Sequence, residues 1–238
     1  MKIKLLFLIL IFTLFYTTAF TQTETSTKKN KLAFSTGFNS GSLKNLEFAP
    51  ISRYNYNGLV YKLNYERTSK NQNLFEIQLE YLNSELKTNV VPILNADYSK
   101  TGLSFSYLKQ VDNKNALSIH IGLQSQTSVS LYFNSNYYVA DQEFGISTRF
   151  TYQLSEKQYL TSKLTVPVAL LRVTENSDFS AYSLNRYQSV LWNLEYVYSL
   201  SNYFDIKLNY DFKYDRVQIP NAFRELQHQL NFGINYKF

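Results

Sequence analysis

The chain ends on an unbroken alternation. Phe232, Ile234, Tyr236 and Phe238 are apolar, and Asn231, Gly233, Asn235 and Lys237 stand between them. The stretch NYFDIKLNYDFKYD repeats the pattern: Phe204, Ile206, Leu208, Tyr210, Phe212 and Tyr214 share one face, and Asp205, Lys207, Asn209, Asp211, Lys213 and Asp215 the other. A period of two predicts a β-strand, because helical spacing would scatter these charges around the axis. The same alternation recurs from Lys31 onward. It predicts ten strands, near 31–39, 53–66, 73–84, 99–110, 115–126, 142–154, 158–171, 187–199, 203–215 and 225–238, with eight or twelve as alternatives. Pro167 lacks a ladder donor, which predicts a bulge in the seventh.

The connections alternate in length. TSKNQN, VDNK, SEKQ and LSNY are tight, and those near 40–52, 85–98, 127–141, 172–186 and 216–224 are longer. An up-and-down meander with short turns at one end and long loops at the other follows. The predicted strands exceed the soluble mean of about 5–6 residues and fit the roughly 9–11 that cross a bilayer. A soluble sandwich, with the apolar face as its core, is the alternative. Aromatic placement favours the membrane. Tyr65, Phe75, Tyr107, Tyr152, Tyr159, Tyr198, Phe204, Tyr236 and Phe238 fall near the short-turn ends, and Tyr54, Tyr56, Tyr81, Phe144, Tyr214 and Trp192 nearer the long loops. Aliphatic residues such as Leu63, Ile77, Leu79, Leu164 and Leu208 lie between, so two interfacial girdles are expected.

Composition adds three points. With 24 basic and 18 acidic residues the net charge is +6, and the signs are mixed along the chain, so no nucleic-acid footprint is expected. No cysteine is present, which excludes disulfides, thiolate chemistry and a lipid anchor on cysteine. The opening MKIKLLFLILIFTLFYTTAF has lysines, a short apolar run and small residues in the order of a secretory signal peptide. Residues 1–21 are therefore expected to direct export and 22–30 to form a flexible leader before a barrel over 31–238.

The final strand, LQHQLNFGINYKF, resembles the C-terminal assembly signal of bacterial outer-membrane β-barrels. With the export segment and the Asn-, Lys- and Tyr-rich strands, the chain is similar to the small outer-membrane barrels of Bacteroidota-type bacteria. The resemblance implies an all-β, membrane-spanning antiparallel barrel in the outer membrane, with the short turns and both termini on the periplasmic side and the longer loops outside. It also implies that Phe232, Ile234, Tyr236 and Phe238 are read by the barrel insertion machinery. The partners expected are that machinery and outer-membrane lipid, with any extracellular ligand unknown.

Candidate chemistry is sparse. Lys62, Glu66, Glu76, Glu80, Arg149, Lys163, Glu195, Lys207, Asp211 and Lys213 share the inward parity and are expected to form a lumen charge network. Mixed signs in a narrow lumen favour pairing over a selective single-sign ring. The stretch QTSVSLYFNSNYYVAD is expected to be an external loop, with Tyr132, Phe133, Tyr137 and Tyr138 as a candidate binding surface. Asp141 and Glu143 are paired acids, as in protease-like barrels, but no histidine is near in sequence. His120 is expected to point inward. His228 is expected to face lipid, within reach of Ser40 or Ser42 across the closing seam, as phospholipase-like barrels would require. No phosphate loop, metal-spaced cluster or nucleophile elbow is present, and no cofactor is expected. The reading is a non-enzymatic barrel with a filled lumen, serving envelope integrity or surface binding. A narrow porin-like channel and an outer-membrane hydrolase are the alternatives.

Overall fold

A computed structural model of the chain describes residues 28–50, 53–114, 116–133, 137–175, 177–218 and 222–238. The expected signal peptide lies outside the described residues, as does the leader up to residue 27. The strands are β1 (Asn30–Asn45), β2 (Tyr54–Thr68), β3 (Leu74–Lys87), β4 (Ala96–Lys114), β5 (Leu117–Tyr132), β6 (Tyr137–Ser155), β7 (Gln158–Thr174), β8 (Ser177–Ser183), β9 (Tyr187–Ser199), β10 (Phe204–Val217) and β11 (Phe223–Lys237). All belong to one antiparallel sheet, and all but β8 close into a ten-stranded barrel. The closing seam joins β1 to β11 from Lys31↔Lys237 to Asn45↔Phe223. Among the described residues no helix is long and apolar enough to cross a membrane.

The register fixes the shape of the barrel. From Leu164 on β7, the row of paired residues runs through Trp192, Phe212, His228, Ser40, Asn57 and Glu85 to Asp97 on β4. In the other direction it runs through Thr148 and Ile121 to Lys109 on the same strand. Asp97 and Lys109 are twelve residues apart, and this offset is the shear of the barrel. Ten strands at about 4.8 Å spacing and about 3.3 Å rise then tilt by roughly 40°, with a backbone radius near 10 Å. Long side chains can meet across a lumen of that width.

Side chains follow the alternation. Leu32, Phe34, Leu63, Leu79, Phe105, Ile121, Phe150, Leu164, Leu208, Phe232 and Ile234 are exposed on the outside. Lys62, Glu66, Glu76, Arg149, Lys207 and Lys213 are buried inside. A large apolar exterior around a charged interior inverts a soluble protein and matches a barrel in lipid. The bulge expected at Pro167 is present: Phe144 pairs with Ala169 and Gly145 with Pro167, which leaves Val168 as the extra residue.

Three sequence expectations are corrected. The first strand runs to Asn45, beyond the expected end at 39. Tyr54 and Tyr56 are fully buried and share the parity of Lys62 and Glu66, so they do not belong to the outer girdle. Tyr159 likewise shares the inward parity of Thr161 and Lys163. The stretch 126–141 is two long strands joined by a short connection, because β5 continues to Tyr132 and β6 begins at Tyr137.

Candidate functional site

The middle of the lumen is crossed by ion pairs. Glu66 and Glu76 are direct register partners, and two acids placed opposite one another repel. Arg149 reaches over from β6 and donates to both, at 2.5 Å to Glu66. Lys31 adds a second cation to Glu66 at 2.9 Å, and Lys163 adds one to Glu76 at 2.5 Å while also donating to Ser106 at 2.8 Å. On the other side Lys62 lies 3.2 Å from its register partner Glu80 and 2.7 Å from Asp211 on β10. Asn193, Asn209 and Asn231 also donate to Asp211, and Gln229 donates to Glu80. Lys207 meets Glu195 at 3.0 Å. Every residue of the expected charge network is thus engaged in these contacts or, for Lys213, in those just above.

Toward the external end a second group forms. Lys213 lies 2.9 Å from both Glu143 and Asp215. Glu225 is fully buried and accepts from Lys100 at 2.5 Å and from the Tyr56 hydroxyl at 2.7 Å. Gly41 is the register partner of Tyr56, and a Cβ there would stand 2.4 Å from the Tyr56 ring. The missing side chain lets Tyr56 lie flat enough to reach Glu225. Arg172 forms two hydrogen bonds to its register partner Asp141, at 2.7 and 2.8 Å.

Above the charges the mouth is apolar. Tyr54, Tyr56, Tyr98, Tyr132, Tyr137 and Tyr187 are buried there with Leu43, Leu82, Leu86 and Leu170. The chain after β1 folds into this cluster. The Asn45 side chain accepts from the amides of Glu47 and Phe48 at 3.1 and 3.3 Å, and its carbonyl accepts from Ala49 at 3.1 Å. That turn directs Phe48 inward, with ring centroids 4.5 Å from Tyr132, 5.7 Å from Tyr137 and 5.8 Å from Tyr54. Offset and tilted contacts at these distances are favourable.

Between the two ends lies a cavity of about 150 Å³, lined by Glu80, Gln124, Asn209, Gln227, Gln229 and their neighbours. Asn209 Oδ1, Gln227 Nε2 and Gln229 Oε1 are buried without a hydrogen-bond partner among the described residues. A polar space of that size suits a few waters.

The expected outer features are placed as follows. Tyr132 and Tyr137 point into the mouth cluster, while Phe133 and Tyr138 face outward. His120 is buried near the short-turn end, where Nε2 donates to the Gln72 carbonyl at 3.0 Å. Gln72 carries a left-handed φ of 59° in the β2–β3 turn, and the histidine secures it. His228 faces outward beside Phe212, with Nδ1 2.7 Å from the Tyr210 hydroxyl. Ser40 is its register partner. Phe232, Ile234 and Phe238 are exposed on the outer face, and Tyr236 stacks on Phe238. The contacts of Lys100, Glu225, Asp141 and Arg172 were not anticipated, although their parity matches that of neighbouring inward residues.

No family model matches the sequence, and no curated protein matches it. Solved structures do. The outer membrane protease OmpT from Escherichia coli aligns over 91% of this chain and 99% of its own, at 10% identity and a TM-score of 0.60. An outer membrane channel from Pseudomonas putida F1 aligns over 92% and 100%, at 8% identity and a TM-score of 0.48. Neisserial surface protein A aligns over 87% and 97%, at 10% identity and a TM-score of 0.38. At these identities the first likeness is one of fold. The fold is that of the bacterial outer-membrane β-barrels, and the apolar belt suits it to that membrane.

Proposed function

We propose that this outer-membrane barrel is a closed, non-enzymatic element of the envelope, serving integrity or surface binding rather than bulk transport. One observation carries the reading: ion pairs span the lumen and the Phe48–tyrosine cluster covers its external mouth. A lumen with a backbone radius near 10 Å has little room left once these side chains cross it. The OmpT likeness raises a protease reading. Against it, Asp141 is held by Arg172 and Glu143 by Lys213, and both histidines lie elsewhere. His120 sits at the short-turn end and His228 on the outer surface.

The test is planar-bilayer conductance of the refolded protein. The wild type is expected to conduct little. Replacing Lys207 and Glu195 together with Ala removes matched charges and should raise conductance. Large, steady wild-type currents would refute the closed reading. They would favour a narrow channel, for which the central polar cavity is the supporting observation. The last strand is proposed to serve in assembly, with Phe238 recognised by the insertion machinery.

A further inference from the structure

On the outside of the closing seam, side chains are ordered along the membrane normal. Phe38, Leu59 and Leu230 wall a groove of about 600 Å³ that also takes in Ser40, Tyr210 and His228. Ser40 pairs in register with His228 on one side and Asn57 on the other. Two outward positions higher, Lys44, Arg224 and Arg216 are register partners across β1, β11 and β10. Arg216 and Arg224 are exposed and Lys44 is half-buried. None of the three makes an ion pair or side-chain hydrogen bond with a described residue.

Height sorts these groups. His228 lies eight residues above Tyr236, and Arg224 twelve. At about 3.4 Å per residue and roughly 40° of tilt, these are about 21 Å and 31 Å up the normal. The apolar band of such a barrel is about 25 Å tall. The groove therefore opens at the top of the hydrocarbon, and the cations stand in the headgroup layer of the outer leaflet. Like charges directly opposite one another are unfavourable, so a row of three without acids fits an anion that neutralises it. The row spans about 10 Å over two strand spacings, which is wider than one phosphate. On the far side of the barrel the outward residues toward the rim include Val129, Leu131 and Val173, which carry no charge.

We propose that this face binds an outer-leaflet lipid with more than one phosphate on a bulky head. One acyl chain lies in the groove against Phe38, Leu59 and Leu230. Ser40, Asn57 and His228 meet its ester or amide level, and Lys44, Arg216 and Arg224 hold its phosphates. The inference rests on the membrane placement alone, so its failure leaves the closed-lumen reading standing.

The test uses the folded full chain in zwitterionic detergent. The probe is a bis-phosphorylated, multi-acylated disaccharide lipid, compared with phosphatidylglycerol and with inorganic phosphate. Native mass spectrometry reads the bound lipid. The disaccharide lipid should be retained over phosphatidylglycerol, and inorganic phosphate should not displace it. K44Q/R216Q/R224Q should weaken retention by about tenfold or more, since each basic residue near an anionic surface contributes about 1 kcal/mol. K44R/R216K/R224K should retain the lipid, and the single R224Q provides a reading should the triple change not fold. Equal retention by the neutral variants, preference for phosphatidylglycerol, or displacement by inorganic phosphate would each overturn the proposal.

Discussion

Lys100→Met isolates one buried charge. Glu225 is fully enclosed, and Lys100 lies 2.5 Å from it. At an effective dielectric of about 20, the gross attraction at that distance is about 7 kcal/mol. Desolvation of two ions offsets several kcal/mol per ion, so the pair contributes little net stability against an apolar substitute. Removing one partner is different. Glu225 would stand directly opposite Asp215, its register partner on β10, with the Tyr56 hydroxyl at 2.7 Å and the Tyr98 hydroxyl at 3.5 Å as its remaining donors among the described residues. Breaking a buried pair typically costs about 3–5 kcal/mol, and the two hydroxyls place this case near about 3 kcal/mol. Lys100→Met with Glu225→Gln removes both charges and leaves Lys213 with Glu143 and Asp215. The double variant should fall within about 1 kcal/mol of the wild type, recovering about 2 kcal/mol of the loss seen in the single variant. Urea unfolding from lipid vesicles, followed by emission of the single tryptophan, Trp192, measures all three. A single variant within about 1 kcal/mol of wild type, or a double variant as unstable as the single, would refute the reasoning.

Further outcomes follow from the same geometry. Leu208→Arg puts a charge against lipid and should cost about 2–4 kcal/mol. Asn209→Arg enters the lumen beside its register partner Glu195 and should cost less, and the reverse order in vesicle folding titrations would show that the parity of β10 is misassigned. Gly41→Val should displace Tyr56 from Glu225 and lose about 1–3 kcal/mol, and a Tyr56→Ala background should reduce that loss without removing it, because the Leu226 carbonyl also stands 2.8 Å from the added Cβ. Deleting Phe238 should lower insertion in cells far more than the stability of refolded protein, and normal surface levels would count against an assembly role. The native barrel should migrate differently on SDS gels before and after boiling, because its ten-stranded ring is hydrogen-bonded throughout its periplasmic half.

Much of the fold was legible because one face is apolar and the other charged. In β10 the pattern leaves no doubt, and Lys207, Asn209, Asp211 and Lys213 are inside as read. Legibility failed where both faces are apolar. Val129, Leu131 and Phe133 point outward while Tyr132 and Tyr137 fill the mouth, so hydrophobicity does not alternate and the stretch reads as a loop. Tyr54 and Tyr56 were misplaced for the same reason: a tyrosine suits a bilayer interface and a buried mouth equally well. The lumen network needed only parity, which is local. Its partners needed the shear, because Lys62 and Asp211 meet across two intervening strands. Lys100 and Glu225 sat at the blurred ends of expected strands, where parity had not been extended to them.

The change of partner along β7 has a mechanical consequence. Below Thr165 it is laced to β9, and above Ala169 the same edge is laced to β8. No ladder joins β8 to β9 among the described residues. The wall is thus a hoop in its periplasmic half and a split collar in its external half. A hoop resists splaying because spreading any two staves strains all the others, whereas a collar yields at its slit. Amides of Tyr187–Val190 on the side facing β8 should exchange with solvent before any others in the wall. The collar is also wider by one stave, about 4.8 Å of girth, where Phe48 and the buried tyrosines are lodged.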